Sequence, residues 1–248
     1  GTVRVSDSRF FAEPLSFPTD DIRASTIGMA MVSVRNVRLV RTGIYGSYLA
    51  SVHADNLESG IALTVHQEDV RIRSRSECEE PRCQPFTSSM RIWADGESRG
   101  SVDLLGFFAE GVATIANMRN LSAVVMNDVS SHETEAGFTT DKGPRFQMTV
   151  TNATMWMTRT AAFRFDGEAD VRLTNVQLRA DGVDTSEKLP GYEGVEGRRR
   201  DGFGVISAVN IGRRPDISIT NGWIEALDTT AIRGPLAMLT LRQVHARV

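Results

Sequence analysis

The sequence predicts an all-β fold: a single-stranded parallel β-helix, or solenoid, with coils of about 22 residues and inserted corner loops. Three observations predict it. The first is a recurring segment that reads apolar-x-apolar-x-Asn-apolar-x-apolar. It occurs as VSVRNVRLV at 32–40, IANMRNLSAVV at 115–125, MTVTNATMWM at 148–157, VRLTNVQLRA at 171–180 and ISITNGWIEA at 217–226. It returns as LTLRQVHARV at 239–248, with Gln243 in place of Asn. The second observation is spacing. Asn152 and Asn175 are 23 residues apart, Asn175 and Asn221 are 46 apart, and Asn221 and Gln243 are 22 apart. A fixed period with alternating apolarity inside each unit marks a stacked repeat whose strands bury one face each. The third is that no long stretch carries the i, i+3, i+4, i+7 apolar stripe of a helix. β-branched and aromatic residues fill the periodic segments instead. A β-sandwich or jelly roll would also show short alternating strands; the period and the recurring Asn favour the solenoid.

Taken in order, residues 1–30 are expected to form an N-terminal arm or cap, and 31–248 the β-helix domain. FFAEPLSFPTDD (10–21) contains two prolines and suits an arm, while ASTIGMAMVSV (24–34) leads into a strand. GIALTVHQEDVRIRS (60–74) reads as strand, polar corner, strand. AAFRFDGEAD (161–170) and TTAIRGPLAM (229–238) supply further short strands between the Asn segments, so each coil holds two or three. The Asn positions 36, 120, 152, 175 and 221 fall at corners, where Asn tolerates left-handed geometry and hydrogen-bonds its own backbone. In a stack, such asparagines can also form a ladder from coil to coil. Three stretches interrupt the period and are read as inserted loops: 73–89, 128–146 and 182–204.

Composition bounds the function. The chain has 248 residues and a net charge of -3, enough length for a sizeable core and too little charge to draw it to nucleic acid or an anionic membrane. No run of 18 apolar residues occurs, so no membrane-spanning helix is expected. Cys78 and Cys83, in SRSECEEPRCQPF, have C-x4-C spacing. They could close a small disulfide loop, pointing to an extracellular, cell-surface or virion location, or remain two free thiols in a turn-rich loop. With no second cysteine pair, and with His53, His66, His132 and His245 scattered, no metal and no cofactor are expected.

The Asn-marked coils resemble right-handed parallel β-helices of the pectin-lyase-like class, which includes polysaccharide lyases, polygalacturonases and phage tailspikes. The resemblance covers about 30–248 and is one of pattern, not of a catalytic motif. It implies that an enzyme reading would need paired carboxylates in a groove. Asp166, Glu168 and Asp170 in RFDGEADVRL, with Asp181 and Asp184 one strand further on, are the candidates. Asp166 and Gly167 equally well form an ordinary DG turn. The paired-aspartate pattern of polygalacturonases is missing. GRRPDISI (212–219) departs from the arginine pattern of pectate lyases by lacking the second arginine.

Binding residues are sought in the loops and among the aromatics. Tyr192 with Arg198, Arg199 and Arg200 could clasp an acidic sugar or carboxylate; a solvated loop or subunit contact is the plainer reading. Trp156 and Trp223 could stack on sugars, or pack in the core or a groove. Without a catalytic motif, the sequence favours a non-catalytic structural or recognition module of an extracellular or virion assembly: a fibre, spike, adhesin or surface filament subunit. The alternative is a polysaccharide-degrading lyase or glycosidase. A weaker alternative is a lipid-binding solenoid, suggested by VDLLGFFAEGVATI (102–115). The final strand pattern runs to Val248 without a polar cap, so a homo-oligomer or a longer parent chain is expected, with a polysaccharide as the possible ligand.

Overall fold

The structure is a computed structural model. It describes residues 1–11, 30–32, 34–45, 50–56, 64–73, 88–94, 99–112, 114–134, 136–140, 144–157, 161–181, 204–209, 212–227 and 229–248. Every element among them is a β-strand. In chain order these are β1 (Thr2–Ser6), β2 (Arg9–Phe11), β3 (Ala30–Val32), β4 (Asn36–Val40), β5 (Gly43–Tyr45), β6 (Ala50–Asn56) and β7 (Thr64–Glu68). There follow β8 (Arg71–Arg73), β9 (Ser88–Ala94), β10 (Gly100–Leu105), β11 (Phe108–Glu110), β12 (Thr114–Arg119), β13 (Leu121–Thr134) and β14 (Ala136–Thr140). The last are β15 (Phe146–Met157), β16 (Phe163–Phe165), β17 (Ala169–Asp181), β18 (Gly204–Ala208), β19 (Asp216–Leu227), β20 (Thr230–Arg233) and β21 (Met238–Arg247).

The strands form two sheets, and all of their pairings are parallel. In the larger sheet β1, β4, β7, β10, β13, β15, β17, β19 and β21 are successive neighbours, and β2, β5, β8 and β11 line up beside them, meeting the far half of β13. The smaller sheet runs β3, β6, β9, β12, β14, β16, β18, β20. The described ends of the first thirty residues therefore belong to the sheets: β1 and β2 pair with β4 and β5, and β3 pairs with β6.

One column of residues bends the larger sheet. Register places Asp7, Arg41, Asp69, Gly106, Asp128, Asn152, Asn175, Asn221 and Gln243 beside one another, each following a paired strand position. All nine have positive φ, between 46° at Arg41 and 64° at Gly106. A left-handed residue costs an L side chain about 1–2 kcal/mol, least for Gly and little for Asn and Asp. It also breaks the two-residue alternation. In β15 the inward positions are Phe146, Met148 and Val150, then Ala153, Met155 and Met157, with Thr151 and Asn152 both turned away. Two outward residues in succession reset the phase, so the chain bends while both arms keep facing one interior. β17 and β19 show the same reset.

The predicted asparagine ladder forms across part of this column. Asn152 Nδ2 donates to Asp128 Oδ1 (3.0 Å), Asn175 Nδ2 to Asn152 Oδ1 (3.1 Å) and Asn221 Nδ2 to Asn175 Oδ1 (2.7 Å). Asn36 and Asn120 do not join it. Asn36 opens β4 opposite Thr2, and Asn120, although at φ 53°, sits between β12 and β13, well before the corner at Asp128. The expected insertion at 128–146 is likewise corrected. Most of it is regular strand in β13 and β14; Asp128 is a corner residue, and Phe138 is buried, stacked on Phe163 at 5.9 Å.

Between the sheets lies one continuous apolar core containing Leu39, Val65, Leu104, Ile115, Phe163 and Ile219, each completely buried. At about 1.5–3 kcal/mol per fully buried side chain, this core is the main force holding the two sheets together.

Candidate functional site

The outward face of the larger sheet beyond the corner carries two rows of polar and aromatic side chains. Residues two positions past the corner form the first row: Ser130, Thr154, Gln177, Trp223, His245. Residues four positions past it form the second, in which Trp156, Arg179, Glu225 and Arg247 are neighbours by register. His132 adjoins this second row, its ring 4.8 Å from that of Trp156 and edge-on to it. Alternation sends these positions outward, because Ala153, Met155 and Met157 and their counterparts point into the core.

The second row is closed on itself. Arg179 Cζ lies 4.9 Å from the Trp156 ring centroid, the Trp156 Nε1–H donates to Asp181 (3.0 Å), and Arg179 Nε donates to Asp181 (2.9 Å). Glu225 lies between Arg179 (3.9 Å) and Arg247 (3.5 Å). The hydrogen bond to Asp181 holds the Arg179 guanidinium above its ordinary range, with the Asp181 and Glu225 charges adding to it and desolvation opposing it. The first row is open. Trp223 is 48% exposed, with His245 as its ring neighbour at 6.1 Å and a 33° tilt. Neither tryptophan is in the core, so packing there does not explain them.

Two of the candidate carboxylates, Asp170 and Asp181, are set apart along one strand. Asp170 lies at the start of β17 and Asp181 at its end, on opposite sides of the corner at Asn175. The two arms span roughly 17 and 20 Å at about 3.3 Å per residue, whereas glycosidic pairs stand about 5–9.5 Å apart. Asp170 is gripped by Arg145 through Nε and Nη2 of one guanidinium edge, and Nη2 also donates to Asp216 (2.8 Å). That Arg145 hydrogen bond holds the Asp170 carboxyl below the usual carboxylate range, and desolvation only partly opposes it. A general acid needs the reverse. Asp166 and Glu168 lie in the turn between β16 and β17; the Asp166 backbone N–H donates to the Thr140 carbonyl (3.3 Å) and the Glu168 carbonyl accepts from Phe146 N–H (3.3 Å). Cys78, Cys83, Asp184, Tyr192, Arg198, Arg199 and Arg200 lie outside the described residues.

Arg179, Glu225, Arg247, His132 and His245 were not singled out from the sequence as binding residues. Their signal was there to read: each lies two or four residues past a corner position, at the same stride as the asparagines. Among the described residues, no group of three His, Cys, Asp or Glu is placed to hold a metal ion, and no helix is long and apolar enough to cross a membrane. Comparison with protein-family models, with curated proteins and with solved structures finds no match.

Proposed function

We propose that the chain is a parallel β-helix, similar to those of the pectin-lyase-like class, serving as a non-catalytic structural or recognition module of an extracellular or virion assembly. The observation that carries this reading is the nine-position left-handed corner column around an apolar core. Strands of the two sheets alternate along the chain from β12 to β21, each returning one row further on, as successive coils would. A rod built this way presents long, fixed outer faces and keeps its chemistry outside. The carboxylates best placed to act, Asp170 and Asp181, are bound by Arg145, Arg179 and Trp156, which supports recognition over hydrolysis. The lipid reading loses its main support, because Val102, Leu104, Phe107, Ala109, Val112 and Ile115 of the apolar segment fill the core.

The test is incubation with homogalacturonan, xylan and β-glucan, with assays for new reducing ends and for unsaturated uronate products. The expected result is no release above a protein-free control. Release that disappears in Asp170→Asn or Asp166→Asn would establish the enzyme and overturn the module.

A further inference from the structure

We infer that Trp223 is the stacking platform of a binding site for a neutral pyranose glycan, which runs along the row of Thr154, Gln177, Trp223 and His245. This deepens the recognition reading above and rests on it.

Four observations lead there. First, the two tryptophans of this face differ in availability. Trp156 has Arg179 over its ring, His132 at its side and its N–H given to Asp181. Trp223 sits one row closer to the corner and is 48% exposed. A large aromatic ring held open to water on a rigid strand is a ready contact for another apolar surface.

Second, its neighbours in register are hydrogen-bonding side chains. Gln177 lies on one side of Trp223 and His245 on the other, with exposed Thr154 beyond Gln177. Adjacent strands stand about 4.8 Å apart, so polar groups recur on both sides of the ring at strand spacing. A pyranose has one apolar C–H face and a rim of hydroxyls. An indole flanked by an amide, an imidazole and a hydroxyl matches both parts.

Third, the charges are balanced. Arg179 and Arg247 are matched by Asp181 and Glu225 in one linked set of ion pairs. A phosphorylated or uronic acid ligand would need an uncompensated cation, and this set does not supply one. The partner is therefore a neutral glycan.

Fourth, a protein partner fits poorly. A stable protein interface buries about 800 Å² on each side and centres on a cluster of anchors. Among the described residues of these two rows, Trp223 is the one exposed large hydrophobic side chain. One ring is too little for such an anchor cluster and sufficient for one sugar.

The experiment is calorimetric titration of the full chain with cellohexaose, maltohexaose and mannohexaose, with oligogalacturonate as the charged comparison. At least one neutral hexaose is expected to give a saturable isotherm. Trp223→Ala should weaken it about tenfold or more, and Gln177→Ala several-fold. Thr149→Ala, exposed on the arm of β15 before the corner, should stay within about twofold of the parent. Circular dichroism and the unfolding midpoint confirm that each variant folds. Should Trp223→Ala not fold, Gln177→Ala and His245→Ala decide the matter. No saturation with any neutral hexaose, or saturation that Trp223→Ala leaves unchanged, overturns the site. Binding of oligogalacturonate alone overturns the neutral ligand class. Reducing ends appearing in the same samples would instead overturn the non-catalytic reading, so the two failures are distinguishable.

Discussion

Between Asp7 and Gly106 the left-handed corner is made from Asp, Arg, Asp and Gly, whereas from Asp128 to Asn221 it is made from one aspartate and three asparagines. In the first region the side chains interact as charges: Arg41 grips Asp7 with Nε and Nη2, the latter at 2.8 Å. In the second they interact as amides, each donating to the row before. The backbone is nearly the same in both, with φ between 46° and 64°. The difference teaches that the fold demands a conformation at this position and leaves the chemistry open. Asparagine meets the demand at low conformational cost and adds a neighbour-to-neighbour bond; arginine meets it at higher cost and leans on its ion pair.

The largest effects are expected where a β-branched side chain is forced into the left-handed corner. Gly106 has φ +64°; a Cβ built there would stand 2.4 Å from Asp69 Oδ1, the end of an exposed side chain that can turn aside, so the backbone conformation sets the cost. Gly106→Val should therefore cost about 2 kcal/mol or more, read as a lower denaturant midpoint. If it proves neutral, the corner is not the constraint argued here.

Next comes the ladder. Asn175 makes one amide bond to each neighbouring row, both exposed. Asn175→Gly keeps the backbone and loses both bonds, so a loss of about 1 kcal/mol is expected. Asn175→Val loses the bonds and adds strain, so it should fall about 1–2 kcal/mol further. Equal losses from the two variants would mean that the side-chain ladder, not the backbone, dominates the corner.

Much of this was legible beforehand. Alternation around Asn152, Asn175 and Asn221 correctly implied strands with one buried face, a left-handed corner and a ladder between asparagines. It failed upstream for a physical reason. Asp7, Arg41, Asp69, Gly106 and Asp128 satisfy the same backbone requirement with three residue types, none of them asparagine, so an asparagine count slides onto Asn36 and Asn120 instead. The stretch 128–146 looked inserted because its polar residues, Ser130 and His132 among them, face outward while Val129, Phe138 and Phe146 are buried. The tryptophans were legible as candidates. Their partners were harder to pick out, because Arg179 comes beside Trp156, and Glu225 beside Arg179, only when strides of 23 and 46 residues are laid out in register.

The smallest effects separate the two corner chemistries. The Arg41–Asp7 pair is exposed on both sides, so its contribution is modest and should weaken further in 1 M salt, where charges are screened within about 3 Å. Acid gives a cleaner test. The Arg41 hydrogen bond is the chief cause holding the Asp7 carboxyl below its ordinary value. A depressed folded value means stability that is fully present above about pH 3.9, the unfolded aspartate value. That stability is lost as pH falls through the lower folded value. The amides of Asn152, Asn175 and Asn221 do not titrate. Asp7→Asn should therefore reduce the drop in unfolding midpoint below about pH 4, while Asn175→Gly should lower the midpoint by the same amount at every pH. A drop that Asp7→Asn leaves untouched would place the acid sensitivity elsewhere, with the Arg145–Asp170 pair the next to examine.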